Sequence, residues 1–88
     1  MIIKFHKNFE KKYKKLSAKQ KEKFKERIKT FLKDEFSPTL DNHPLAGKYK
    51  GYRSIDIAGD LRAIYKREGG RGQRAIFVVI GRHSNLYK

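Results

Sequence analysis

The chain has 88 residues and no cysteine, which allows one small domain and excludes disulfide scaffolds, thiolate metal sites and cysteine nucleophiles. Hydrophobic residues make up 38% and aromatics 12%, enough to fold, although so short a chain has no room for a large enclosed cofactor cavity. Lys and Arg number 23 against 9 Asp and Glu, a net charge of +14; self-repulsion on that scale implies a polyanionic partner (nucleic acid, an acidic protein or an anionic membrane surface) rather than a small neutral metabolite.

Residues 1–5 read as a short strand. Residues 6–16 read as a helix, with Phe9, Tyr13 and Leu16 at i, i+4 and i+7. Ser17 starts a second helix, since a hydroxyl with Gln20 three residues on is a capping-box pattern. Phe24, Ile28, Phe31 and Leu32 mark the buried stripe of that helix, and lysines fill the rest. Phe36-Ser37-Pro38 ends it, because proline disfavours helix in the residue before it. Residues 37–51 read as an ordered loop punctuated by Pro38, Pro44, Gly47 and Gly51. Residues 52–57 and 61–67 read as strands paired around a turn at 58–60. After the flexible connection Gly69-Gly70-Arg71-Gly72, the apolar run 75–80 is too short for a typical helix and rich in β-branched residues. It reads as a central strand buried on both faces. Residues 83–88 form a short tail. The order β-α-α-β-β-β describes one α+β domain over residues 1–88: an N-terminal strand, a two-helix hairpin and a small, mainly antiparallel sheet. No apolar run approaches the roughly 20 residues of a membrane span, and no leader-like segment precedes the first charges. The expectation is a soluble, cytoplasmic protein.

The basic residues differ in kind between the two halves. Residues 1–36 carry twelve Lys and one Arg, whereas residues 37–88 carry four Lys and six Arg. The arginine fork matches phosphate oxygens in a bidentate way, so close phosphate handling belongs to the second half. Three segments there carry chemistry. In the loop and first hairpin strand, His43, Lys48, Lys50 and Arg53 are phosphate or proton-transfer groups, and Tyr49 and Tyr52 are packing residues or base-stacking platforms. In Asp60-Leu61-Arg62-Ala63-Ile64-Tyr65, alternation puts Leu61, Ala63 and Tyr65 on one face and Arg62, Ile64 and Lys66 on the other. An arginine among strand residues needs solvent, a carboxylate or a ligand, so Arg62 either pairs with Asp60 or Asp56, or faces substrate, or does both. The tail then brings Arg82, His83 and Tyr87, and histidine is the side chain best suited to proton transfer near neutral pH.

In order, the motifs His43-Pro44-Leu45-x-Gly47-x-x-x-Gly51-Tyr52-Arg53, Asp60-Leu61-Arg62-x-Ile64-Tyr65 and Gly81-x-His83-x-x-Leu86-Tyr87 resemble the RelE/ParE superfamily of toxins from type II toxin–antitoxin modules, and within it the YafQ-like ribonucleases. The resemblance covers nearly the whole chain. It implies a ribosome-dependent endoribonuclease that cuts mRNA in the ribosomal A site, needs no metal or other cofactor, and is held by an acidic antitoxin that folds on the basic surface. It also implies roles: His83 and Asp60 in proton transfer, His43 as a second acid or base, Arg62 with Lys50 and Arg53 at the phosphate, and Tyr87 orienting a base. Tyr52, Arg82 and Asp56 are expected to contact the substrate. The YafQ-like pattern has a further histidine where Asp56 stands, so the identity of the general base stays open. Other readings are a ParE-like gyrase inhibitor, a toxin-like module without catalysis, and a plain RNA-binding domain.

Overall fold

The computed structural model describes residues 1–86. Its elements are β1 (Ile2–Phe5), α1 (Lys7–Lys14), α2 (Ala18–Lys33), β2 (His43–Pro44), β3 (Arg53–Ala58), β4 (Leu61–Glu68), β5 (Arg74–Arg82) and α3 (His83–Leu86), with single 3-10 turns at Pro38–Leu40 and Gly47–Tyr49. The five strands lie in the order β1-β5-β4-β3-β2. β1 runs parallel to β5, with Ile2 opposite Arg74, and the other neighbours are antiparallel. The α+β architecture is the one expected from the element order.

Local chemistry sets the element ends. His6 caps α1, its Nδ1 accepting the Asn8 N–H at 3.1 Å, and the helix stops at Lys14, two residues short of Leu16. Ser17 Oγ accepts the Gln20 N–H at 3.1 Å while Gln20 Oε1 accepts the Ser17 N–H at 2.9 Å, the reciprocal capping box. α2 ends at Lys33, where Asp34 turns extended, several residues before Pro38. Leu32 is therefore 50% exposed rather than part of the buried stripe: it stands about 100° around the helix from fully buried Phe31. The loop before β3 holds two 3-10 turns and the short edge strand β2, which pairs His43 with Ser54.

One face of the sheet packs on the helices. Phe77 sits at the centre, its ring 5.1–6.1 Å from those of Phe5, Phe9, Phe24, Phe31 and Tyr65. The other face carries a smaller cluster in which Ile64, Val79 and Leu86 are buried against Leu45, Tyr49, Tyr52 and Val78. Between the Ile64–Val79 and Tyr65–Phe77 pairs the register slips, leaving Val78 as an extra residue on β5. That bulge re-phases β5, so Phe77 and Ile80 both reach the main core while Val79 serves the other face.

The segment expected as a tail is helical from His83 to Leu86. Gly81 eases this: a Cβ there would lie 3.2 Å from Leu86 Cδ2, a tight contact that Leu86 would have to relieve by shifting a few tenths of an ångström. Among the described residues no helix is long and apolar enough to cross a membrane.

Candidate functional site

Arg62 organises the polar end of the open sheet face. Alternation along β4 sends Leu61, Ala63 and Tyr65 into the helix-side core and Arg62 to the opposite side, across from Asp56 on β3 and Gly81 on β5. Only 9% of Arg62 is exposed, and a buried guanidinium is tolerated only with acceptors around it. Its Nε donates to Ser54 Oγ at 2.7 Å, and Nη1 reaches Asp56 Oδ1 at 3.5 Å. Nη2 donates to the Asp41 carbonyl at 3.2 Å and approaches Asp41 Oδ2 at 3.7 Å and His43 Nδ1 at 3.3 Å. Of the two carboxylate pairings left open by the sequence, the Asp56 pairing is present. The acceptor on the other side is Asp41, which sequence reasoning missed.

Asp41 adopts left-handed backbone (φ 45°), a conformation that Asp and Asn tolerate better than most side chains. This turns its carbonyl toward both Arg62 and the His43 ring, where His43 Nδ1 lies at 2.9 Å. A carbonyl oxygen can only accept and the Arg62 guanidinium can only donate, so the two neighbours of Nδ1 ask for opposite tautomers; the shorter contact, to the carbonyl, favours hydrogen on Nδ1 in the neutral ring. The free lone pair then resides on Nε2, as required of a proton acceptor.

A second network fixes the loop that bears Asp41 and His43. Fully buried Tyr65 donates its hydroxyl to Glu35 Oε2 at 2.6 Å and accepts from Asn42 Nδ2 at 2.7 Å. Asn42 Oδ1 accepts from Arg53 Nε at 2.7 Å, and Arg67 pairs with Glu35. Burial, reinforced by the Glu35 carboxylate, pushes the Tyr65 phenol well above its ordinary value of 10.0. Above that pH the unfolded chain releases a proton that the native state keeps, so stability declines as pH rises. In Tyr65→Phe this part of the alkaline decline should vanish, and at neutral pH the variant should lose about 2 kcal/mol. Urea unfolding between neutral and strongly alkaline pH checks both.

The structure brings some expected site residues together and separates others. Arg62 contacts both His43 and Asp56. His83 donates its backbone N–H to the Asp60 carbonyl at 2.8 Å, just past the Arg62–Gly81 register pair. Arg53, expected beside Arg62, instead shares the helix-side face with Tyr65, its guanidinium 5.1 Å from the Phe36 ring centre. The period of two decides this, since a residue opposite Tyr65 cannot share the face of Arg62. Arg82 stands opposite Leu61 by register, which also assigns it to the helix side of its strand. Lys50 is exposed at the end of the Gly47–Tyr49 turn, and Tyr52 packs in the small cluster on the open face. Tyr87 lies outside the described residues. Asp41, Ser54, Asn42 and Glu35 were not foreseen; the one cue was an Asp-Asn pair shortly after a proline, a left-handed turn signal.

The comparison with curated proteins gives no match. Solved structures do match. YafQ from E. coli strain BL21(DE3) is 24% identical, with a TM-score of 0.78 over 98% of this chain and 97% of that one. The toxin in the E. coli DinJ-YafQ toxin-antitoxin complex is 25% identical, with a TM-score of 0.74 over 98% and 96%. A YoeB/ParE toxin from Agrobacterium tumefaciens is 24% identical, with a TM-score of 0.78 over 94% and 99%. A family model described as the bacterial toxin of type II toxin-antitoxin system, YafQ, matches residues 1–88. The chain therefore belongs to the YafQ family of toxins of type II toxin–antitoxin systems.

Proposed function

We propose that this toxin is an endoribonuclease that cuts mRNA in the ribosomal A site, using the 2′-hydroxyl of the RNA as nucleophile. The observation that carries this reading is the His43–Arg62–Asp41 cluster. It holds an imidazole with Nε2 as the proton acceptor, in a chain whose net charge of +14 suits a polyanion. A base removes the 2′-hydroxyl proton, the oxygen attacks the adjacent phosphorus, and an acid protonates the departing 5′-oxygen. His83 and Asp60 supply proton transfer, with His43 as the second acid or base. Arg62 first positions His43 through the Asp41 carbonyl. Its Nη1, which among the described residues is held by the 3.5 Å approach to Asp56, is the edge a phosphate oxygen can engage, with exposed Lys50 adding charge. The products are a 2′,3′-cyclic phosphate, or the 3′-phosphate from its opening, and a 5′-hydroxyl.

The test is primer extension on a translated message with and without ribosomes, followed by end-group analysis. Cuts within codons that need the ribosome, with 5′-hydroxyl ends, are expected. A metal-dependent reaction leaving 5′-phosphates would remove the mechanism. The cognate antitoxin is inferred to be an acidic chain that covers the lysine-rich helices, the Arg62 cluster, or both. Hydrogen exchange of the purified complex should show protection on at least one of these surfaces.

A further inference from the structure

The open sheet face holds a groove of about 400 Å³ that the proposed chemistry does not use. Ile76, Val78 and Val79 form its floor, and His6, Asn8, Lys48, Tyr49, Tyr52 and Lys66 stand around it, with Glu68 at one edge. It is separate from the Arg62 cluster: Lys66 lies four residues along β4 from Arg62, about 13 Å at strand spacing. The tyrosine rings meet edge to face at 6.0 Å, Lys48 Nζ lies 5.2 Å from the centre of Tyr49, and Lys66 Nζ lies 5.6 Å from that of Tyr52. Because His6 Nδ1 accepts the Asn8 N–H, the neutral ring carries its hydrogen on Nε2 and serves the groove as a donor. Glu68, paired with Lys66 at 2.9 Å, is the acceptor.

An anion alone needs neither an apolar floor nor two aromatic rings, and an apolar ligand needs no flanking lysines. We infer that this groove is a second nucleotide subsite: it takes one base of single-stranded RNA against Tyr49 and Tyr52, holds the flanking phosphates on Lys48 and Lys66, and favours bases with an exocyclic amine that can donate to Glu68. The inference deepens the RNA-cleaving reading and rests on it for the identity of the ligand.

Binding of 2′-O-methylated trinucleotides to 15N-labelled protein tests this without any cleavage. Oligocytidine should shift the amide signals of Asn8, Lys48, Tyr49, Tyr52 and Lys66, and bind about fivefold tighter than oligouridine. Glu68→Ala should erase that preference. Tyr49→Ala should weaken binding about tenfold and Tyr49→Phe should preserve it, because the stacking face remains. Combining Lys48→Gln with Lys66→Gln should reduce the salt slope by about 1.4. Shifts confined to the surroundings of His43, Asp60 and His83 would overturn the proposal, as would equal groove shifts with inorganic polyphosphate. Equal shifts with polyglutamate would do the same and point to an acidic protein segment. Equal affinity for the two trinucleotides would overturn the role given to Glu68. Cleavage of translated message without groove shifts sinks this subsite and leaves the nuclease reading, and groove binding without cleavage does the reverse.

Discussion

His83→Gln is expected to slow cleavage of translated mRNA by about 10²–10⁴-fold, the usual contribution of a positioned acid or base. Glutamine keeps nearly the same bulk and hydrogen-bonding capacity but cannot exchange a proton near neutral pH. The backbone N–H that reaches the Asp60 carbonyl is retained, and the side chain is exposed, so unfolding stability should move by less than about 0.5 kcal/mol. Loss of activity with an unchanged unfolding curve therefore reports chemistry. Growth arrest by the variant at wild-type strength would instead favour a gyrase inhibitor or a passive binder, since neither needs an imidazole at this position.

Arg62→Met should combine a large effect on stability with a large effect on activity. Methionine fills the volume but leaves Ser54 Oγ buried without its donor and two carboxylates, Asp41 and Asp56, without a shared cation. Both carboxylates retain solvent, so the expected cost lies near the lower end of the range for a broken buried pair, about 3 kcal/mol. Arg62→Lys is the informative partner variant. One ammonium cannot serve Ser54, Asp56 and the Asp41 carbonyl together, so charge returns without the fork. We expect about half of the stability to recover while cleavage stays low, because the orientation of His43 depends on that fork. Nitrogen NMR of His43 separates this from a general structural defect. The wild type should show the Nδ1-protonated tautomer, and Arg62→Lys a mixture of both.

Much of the architecture was legible because it is local. The capping box of Ser17 and Gln20, the apolar run 75–80 and the alternation around Arg62 depend on spacings that the backbone imposes wherever those residues occur. The candidate site was legible only in part. Arg62, His43 and Asp56 declared themselves by type and order, but Arg53 lies on the far face because strand phase overrides closeness in sequence. Asp41 enters through a left-handed backbone, and Glu35 and Asn42, from the segment after α2, meet Tyr65 of β4 through their side chains. The contacts of Tyr65 and Arg62 with this segment span 19 to 30 residues, beyond any short window of sequence. The helical fold of the last described residues is likewise eased by the gap that Gly81 leaves for Leu86, a tertiary fit and not a propensity.

The pairing of β1 with β5 has a consequence for how this toxin is made. Ile2 pairs with Arg74, and Phe5 with Phe77, so β1 has no strand neighbour until residues 74–77 have been synthesised. At about 5–20 residues per second that delay lasts several seconds, and His83 emerges after it. An abandoned fragment ending before residue 74 has neither a closed sheet nor the imidazole at position 83. Closure of the five-stranded sheet therefore depends on residues 74–77 docking beside β1, and the α3 segment that carries His83 directly follows the strand that makes this pairing.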